Sequence, residues 1–295
     1  MPGPEGPLSG TLLRPADTPD APVVLIIPGS GPTDRNGNSP LGVAASSYAL
    51  LAEGLADLGI ASLRTDKRGL GGSAGAIGDP NAVTIADYAA DTKAWVAAVQ
   101  AETKAGCVWL AGHSEGALIA LVAAQDPQNI CGLLLLAGPG RPLGQILREQ
   151  LAAGLGDPKV VAQANAAILA LERGQRVDSG LLDSSLSPLF DPSLQGFLVS
   201  LFSYDPADLI AALNMPLLIL QGQEDLQIGE SDARRLQDAN SQAELTLLET
   251  VNHMLKSVTP GDRQDNLQSY GDPHRPISDQ VVRTIHSFVS KHEDD

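Results

Sequence analysis

The stretch Val108-Trp109-Leu110-Ala111-Gly112-His113-Ser114-Glu115-Gly116-Ala117-Leu118-Ile119-Ala120-Leu121 decides the fold. Residues 108–111 are a continuous apolar run, and 117–124 are a second run built from small and aliphatic side chains. Between them stands Gly-x-Ser-x-Gly. The sequence reads as a buried strand, a sharp turn and a helix. In such a turn the Ser114 side chain stands clear of the backbone at the carboxyl edge of the sheet, facing a cleft. Glycine is needed at 112 and 116 because a side chain there would meet the neighbouring strand or helix. The helix aims its N-terminus at the serine, so backbone N–H groups favour a developing oxyanion. Ser114 is therefore the candidate nucleophile, weighed against a chance match in a Gly- and Ala-rich chain.

Short apolar runs bounded by Gly, Pro or Asp recur on either side, at 23–27, 61–64, 133–136, 217–221 and 245–248. Such runs suit strands buried on both faces. Helical stretches separate them at 48–58, 85–103, 117–125 and 231–239, with a last helix expected at 277–291 and a frayed acidic end at 293–295. This alternation predicts an α/β fold with a mostly parallel sheet flanked by helices.

The alternation stops after Pro139. No strong strand appears from 141 to 213, but helix signals do. Asp157-Pro158 is an N-cap and first-turn pair, and Gly174 is a plausible stop. Leu194, Phe197, Leu198, Leu201 and Phe202 share one helix face. Phe190, Phe197 and Phe202 are three of the four Phe in the chain. They read either as packing on the core or as the apolar lining of a substrate pocket.

A serine hydroxyl needs a base, and the base needs a carboxylate to orient it. The strand at 217–221 runs into Gly222-Gln223-Glu224-Asp225, which makes Asp225 the expected acid and Glu224 its alternative. The strand at 245–248 is followed by Asn252-His253, which makes His253 the expected base and His274 the second choice. His113 lies inside the turn and is expected to point away. For the oxyanion, one donor is the backbone N–H of Glu115. The other is assigned to Ser30 in the loop Pro28-Gly29-Ser30-Gly31-Pro32, with Gly31 as the alternative. Residues 33–38 are read as a turn that stiffens this loop, with contact to substrate as the alternative.

Net charge is −16, with 19 basic and 35 acidic residues, and this argues against nucleic acid or an anionic membrane surface as partner. No signal peptide and no apolar run long enough for a membrane are visible, so the cytoplasm is the expected location. A disulfide between Cys107 and Cys131 is geometrically conceivable, but two buried thiols are expected. Residues 69–74 satisfy a weak dinucleotide fingerprint in the wrong setting, and no metal-ligand motif occurs, so no cofactor and no metal are expected.

Five segments together resemble the α/β-hydrolase superfamily: residues 28–32, 66–73, 112–116, 222–225 and 252–253. The run Gly29-Ser30-Gly31-Pro32-Thr33-Asp34-Arg35-Asn36-Gly37-Asn38 is similar to that of a bacterial carboxylesterase-like subgroup. The resemblance extends from about residue 21 to 290. It implies an eight-stranded sheet with a helical cap inserted after the sixth strand. Residues 141–213 fit that cap, and 1–140 with 214–295 fit the core. The order Ser114, Asp225, His253 is the order such a fold requires. The expected activity is hydrolysis of small carboxylic esters of short to medium acyl length, through an acyl-enzyme. A thioesterase, an amidase and a carbon–carbon bond hydrolase would use the same residues. The last would want a cation for a substrate carboxylate, and Arg141 and Arg148 are candidates unless they are solvated surface positions. A non-catalytic binder is the alternative from a different class. Oligomeric state is not readable from the sequence.

Overall fold

A computed structural model describes residues 1–16, 18 and 20–292, so the acidic end at 293–295 lies outside the described residues. The chain opens with strand β1 (Gly10–Leu13) and strand β2 (Val23–Ile27). A hairpin of two short strands, β3 (Asn38–Ser39) and β4 (Val43–Ala44), leads into helix α1 (Ser47–Asp57). Strand β5 (Ala61–Thr65), helix α2 (Ile85–Thr103), strand β6 (Val108–His113), helix α3 (Glu115–Ala123) and strand β7 (Ile130–Leu136) follow. Four helices then come in succession: α4 (Leu143–Gly154), α5 (Pro158–Glu172), α6 (Gln195–Phe202) and α7 (Pro206–Ala211). Strand β8 (Leu217–Gly222), helix α8 (Glu230–Ala239), strand β9 (Glu244–Leu248), helix α9 (Arg263–Gln268) and helix α10 (Asp279–Lys291) complete the chain.

Seven strands form the large sheet in the order β1-β5-β2-β6-β7-β8-β9. Only its edge strand β1 runs antiparallel, pairing Gly10 with Thr65 and Leu13 with Ser62. The eighth strand implied by the resemblance is not present among the described residues, and the helical insertion therefore follows the fifth strand of this sheet. The apolar runs are explained by two-sided burial. Along β2, Val23, Leu25 and Ile27 enter the core on one face while Val24 and Ile26 enter the core on the other. A period of two sends alternate side chains to opposite faces, and helices cover both.

Each helix shows why its residues form it. α2 begins with a capping box in which the Thr84 hydroxyl accepts from the Asp87 N–H and the Asp87 carboxylate accepts from the Thr84 N–H. α3 is apolar all round and eight of its nine residues are buried. α10 buries only one stripe, Val281, Val282, Ile285, Phe288 and Val289, and Phe288 meets Trp109 edge-on. α5 starts where Asp157-Pro158 predicts, with the Asp157 carboxylate accepting from Lys159 N–H, and stops before Gly174 at φ 75°.

Cys107 and Cys131 form a disulfide with a Cα–Cα distance of 5.2 Å, which corrects the expectation of two thiols. β6 and β7 are neighbours, and their pairing of Val108 with Ile130 brings the two sulfurs together at the amino ends of the strands. No helix among the described residues is long and apolar enough to cross a membrane.

Candidate active site

The carboxyl ends of β2, β5, β6, β8 and β9 lie along one edge of the sheet, because these strands are parallel. The loops leaving them carry Ser30, Ser114, Asp225 and His253. Ser114 leaves β6 at φ 54° and ψ −122°, a left-handed conformation that a side-chain-bearing residue holds at a cost. The flanking glycines permit this turn. A Cβ on Gly112 would strike the Gly116 carbonyl, and a Cβ on Gly116 would strike the Ile27 carbonyl at the end of β2.

His253 Nδ1 lies 2.8 Å from Asp225 Oδ2, and both side chains are almost fully buried. The other Asp225 oxygen accepts N–H groups of Gln227 and Ile228 at 2.7 and 2.9 Å. A carboxylate held from both sides accepts the Nδ1–H of the imidazole and fixes the orientation of the ring. Glu224, the alternative acid, faces elsewhere, its carboxylate accepting from the Gly261 N–H at 3.0 Å. His274 is exposed in its loop. Asn252 fixes the base loop. Its oxygen accepts from Met254 and Lys256 N–H, and its amide donates to Asn266 and Ser269.

Ser114 and His253 line one cavity of about 210 Å³. Its other walls include Ser30, Leu41, Val43, Tyr48 and Met254. Residues 33–38 are stiffened as expected. One Asp34 oxygen accepts from Asn36 and Asn38 N–H at 2.8 and 2.9 Å, and Arg35 grips Asp66 at 2.6 Å. Phe190, Phe197 and Phe202 are not brought to this cavity. Phe190 and Phe202 are buried in the core, and Phe197 packs edge-on against Tyr88. An apolar helix face finds burial against the sheet-covering helices before it can serve a cleft. Arg141 is held by Asp232 and Glu149, and Arg148 by Glu172, so neither offers a cation to a substrate.

The sequence reading missed the role of His113. Its Nε2 lies 2.8 Å from the His253 carbonyl oxygen, and its Nδ1 lies 2.8 Å from Tyr48 Oη. Burial, aided by the nearby His253, pushes His113 down from its ordinary value to about 3, so the ring is neutral. A carbonyl only accepts, which puts the ring proton on Nε2. Tyr48 then donates to Nδ1 and accepts the Gly29 N–H at 2.9 Å. Burial also raises the Tyr48 phenol well above its usual range, so that proton stays in place. One chain of hydrogen bonds thus ties the loop after β2, the serine turn and the base loop. A polar residue inside an otherwise apolar strand-to-turn junction was the available signal.

The mostly parallel sheet flanked by helices and the serine turn at positive φ give this chain the α/β-hydrolase fold. Residues 41–162 match a family model described as serine aminopeptidase, S33. Esterase EstD of Thermotoga maritima is 23% identical over 283 residues, covering 94% of this chain and 65% of the relative. The chain therefore spans about two thirds of that relative's length. Among solved structures, Est1E from Butyrivibrio proteoclasticus with ferulic acid bound superposes with a TM-score of 0.61 at 16% identity, covering 98% of this chain and 96% of that one. A thermophilic esterase from Thermogutta terrifontis gives 0.58 at 17% identity, with 97% and 93% covered. A monoacylglycerol lipase from Paleococcus ferrophilus gives 0.57 at 17%, with 97% and 100% covered.

Proposed function

We propose that the chain is a carboxylesterase-type serine hydrolase acting on small-molecule esters. The observation that carries this reading is the buried 2.8 Å pair of His253 Nδ1 and Asp225, opening on the same cavity as Ser114. In the proposed reaction His253 Nε2 takes the Ser114 proton as Oγ attacks the acyl carbon. The tetrahedral oxyanion is held by the N–H groups of Ser30 and Glu115. Collapse expels the alcohol, which receives the proton from His253. Water then attacks the acyl-enzyme by the same route and releases the acid, with Asp225 steadying the imidazolium in both halves. The Glu115 N–H is available because the first N–H groups of a helix have no intrahelical partner. The names of the esterase relatives support ester substrates.

We assign residues 141–213 as the cap, since α4 to α7 form one uninterrupted helical excursion between β7 and β8. Short to medium acyl groups suit a cavity of about 210 Å³ walled by Leu41, Val43 and Met254. The expected cytoplasmic place of action has to be weighed against the chain's redox chemistry. The Cys107–Cys131 bridge counts against it, because disulfides persist in oxidising compartments.

The test is hydrolysis of p-nitrophenyl esters from acetate to palmitate by the wild type and by Ser114→Ala. Activity on the short and middle members that vanishes in the variant is expected. Faster turnover of palmitate than of butyrate would overturn the acyl preference. A wild type that neither turns over esters nor reacts with a fluorophosphonate would overturn the enzyme reading itself.

A further inference from the structure

We infer that Lys67 is the positioning residue of the oxyanion hole, holding both of its backbone donors with one ammonium group. Lys67 follows β5, whose carboxyl end lies beside that of β2 in the sheet. Its Nζ donates to the Gly29 carbonyl at 2.7 Å and pairs with Glu115 Oε1 at 3.3 Å, and it sits 5.6 Å from the centre of the Tyr88 ring. Lys67 and Glu115 are both buried. Stability alone is a poor reason for such a pair, since desolvating two charges offsets much of their attraction.

The geometry gives a better reason. In a trans peptide the C=O of one residue and the N–H of the next point in opposite directions. Lys67 draws the Gly29 carbonyl to its own side, so the Ser30 N–H is turned to the other side. Ser114 lies beside this segment, its Cβ 3.3 Å from where a Cβ on Gly29 would stand. The Gly29 N–H, in the preceding peptide, is already engaged by Tyr48 Oη, so Gly29 is held through both its N–H and its carbonyl. The Gly29 N–H is thus occupied, and the Ser30 N–H is the donor that the Lys67 contact orients. The same ammonium grips the side chain of Glu115, whose backbone N–H is the second donor. A positive charge behind both donors also favours the anionic transition state over the neutral ester, in a site with little water.

This inference rests on Ser114 and His253 working as proposed above, and the experiment separates the two. Ester turnover by the wild type that is lost in Ser114→Ala establishes the first reading alone. Lys67→Met and Lys67→Arg are then compared for kcat, KM and affinity for a trifluoromethyl ketone, which forms a tetrahedral adduct at the serine. For Lys67→Met we expect kcat lower by about 10²-fold, with KM little changed, because an oxyanion donor acts mainly in the transition state. Affinity for the ketone should fall in parallel with kcat/KM. Lys67→Arg, which keeps a charged donor, should recover most of the loss. A folded Lys67→Met with wild-type kcat, or one that loses kcat while its ketone affinity stays intact, would overturn the inference. If Lys67→Met does not fold, Lys67→Gln takes its place. Failure of both to fold would assign Lys67 to the scaffold instead and would equally overturn it.

Discussion

Removing the bridge between Cys107 and Cys131 should cost stability without touching the chemistry. The two residues are 24 positions apart. In the chain-entropy treatment, releasing a loop of that length from the unfolded chain gives up about 3.5 kcal/mol at 25 °C. The chain has 295 residues, and unfolding entropy is about 2.1 cal/mol/K per residue, or roughly 0.6 kcal/mol/K in total. The double variant Cys107→Ala/Cys131→Ala should therefore melt about 5 to 6 °C below the wild type in scanning calorimetry. The sulfurs stand at the amino ends of β6 and β7, whereas Ser114 leaves the carboxyl end of β6. Six residues of strand separate them, about 20 Å at the usual rise. Ester turnover at 25 °C should stay within about twofold of wild type, since a bridge that far away has no part in transition-state binding. Melting within about 1 °C of wild type would refute the entropic argument. Two titratable thiols in unreduced protein would refute the bridge.

Three further outcomes follow from the site. His113 is held near 3 when folded and titrates near 6.5 when unfolded. Its contribution is present above pH 6.5 and is lost as pH falls toward 3, at roughly 1.4 kcal/mol per pH unit, because the unfolded chain takes up the proton first. Urea unfolding at pH 7, 6 and 5 should show His113→Asn less stable at pH 7 with the gap narrowing in acid, and parallel curves would contradict this. Ser114→Gly should be more stable than Ser114→Ala by about 1 kcal/mol, since glycine accepts φ 54° without strain; equal urea midpoints would show that the turn is unstrained. Asp225→Asn should lower kcat by about 10⁴-fold, against about 10⁶-fold for Ser114→Ala, and steady-state rates rank the two.

The strands were legible because two-sided burial writes continuous apolar runs, as Val23 to Ile27 shows. Ser114, Asp225 and His253 were legible for a related reason: each stands just past the end of such a run. The edge strand Gly10–Leu13 is half-buried and short, so it leaves no comparable run. The β3–β4 hairpin pairs only two residues on each side, and pairing that brief carries no periodicity. Lys67 and Tyr48 act through partners 38 and 65 positions away, a relation that only the strand order creates. Phe197 and Phe202 misled because an apolar helix face looks the same whether it meets a core or a ligand.

The hydrogen bond from His113 to the His253 carbonyl spans 140 positions of chain. Its consequence reaches beyond the finished site to how the protein is made. During synthesis the serine turn emerges long before the His253 loop, and α10, which packs against Trp109, emerges later still. The growing chain therefore carries Ser114 without its proposed proton acceptor until the His253 loop has been made. On the function proposed above, ester turnover reports on the completed fold, and a chain truncated before residue 253 lacks the proposed base.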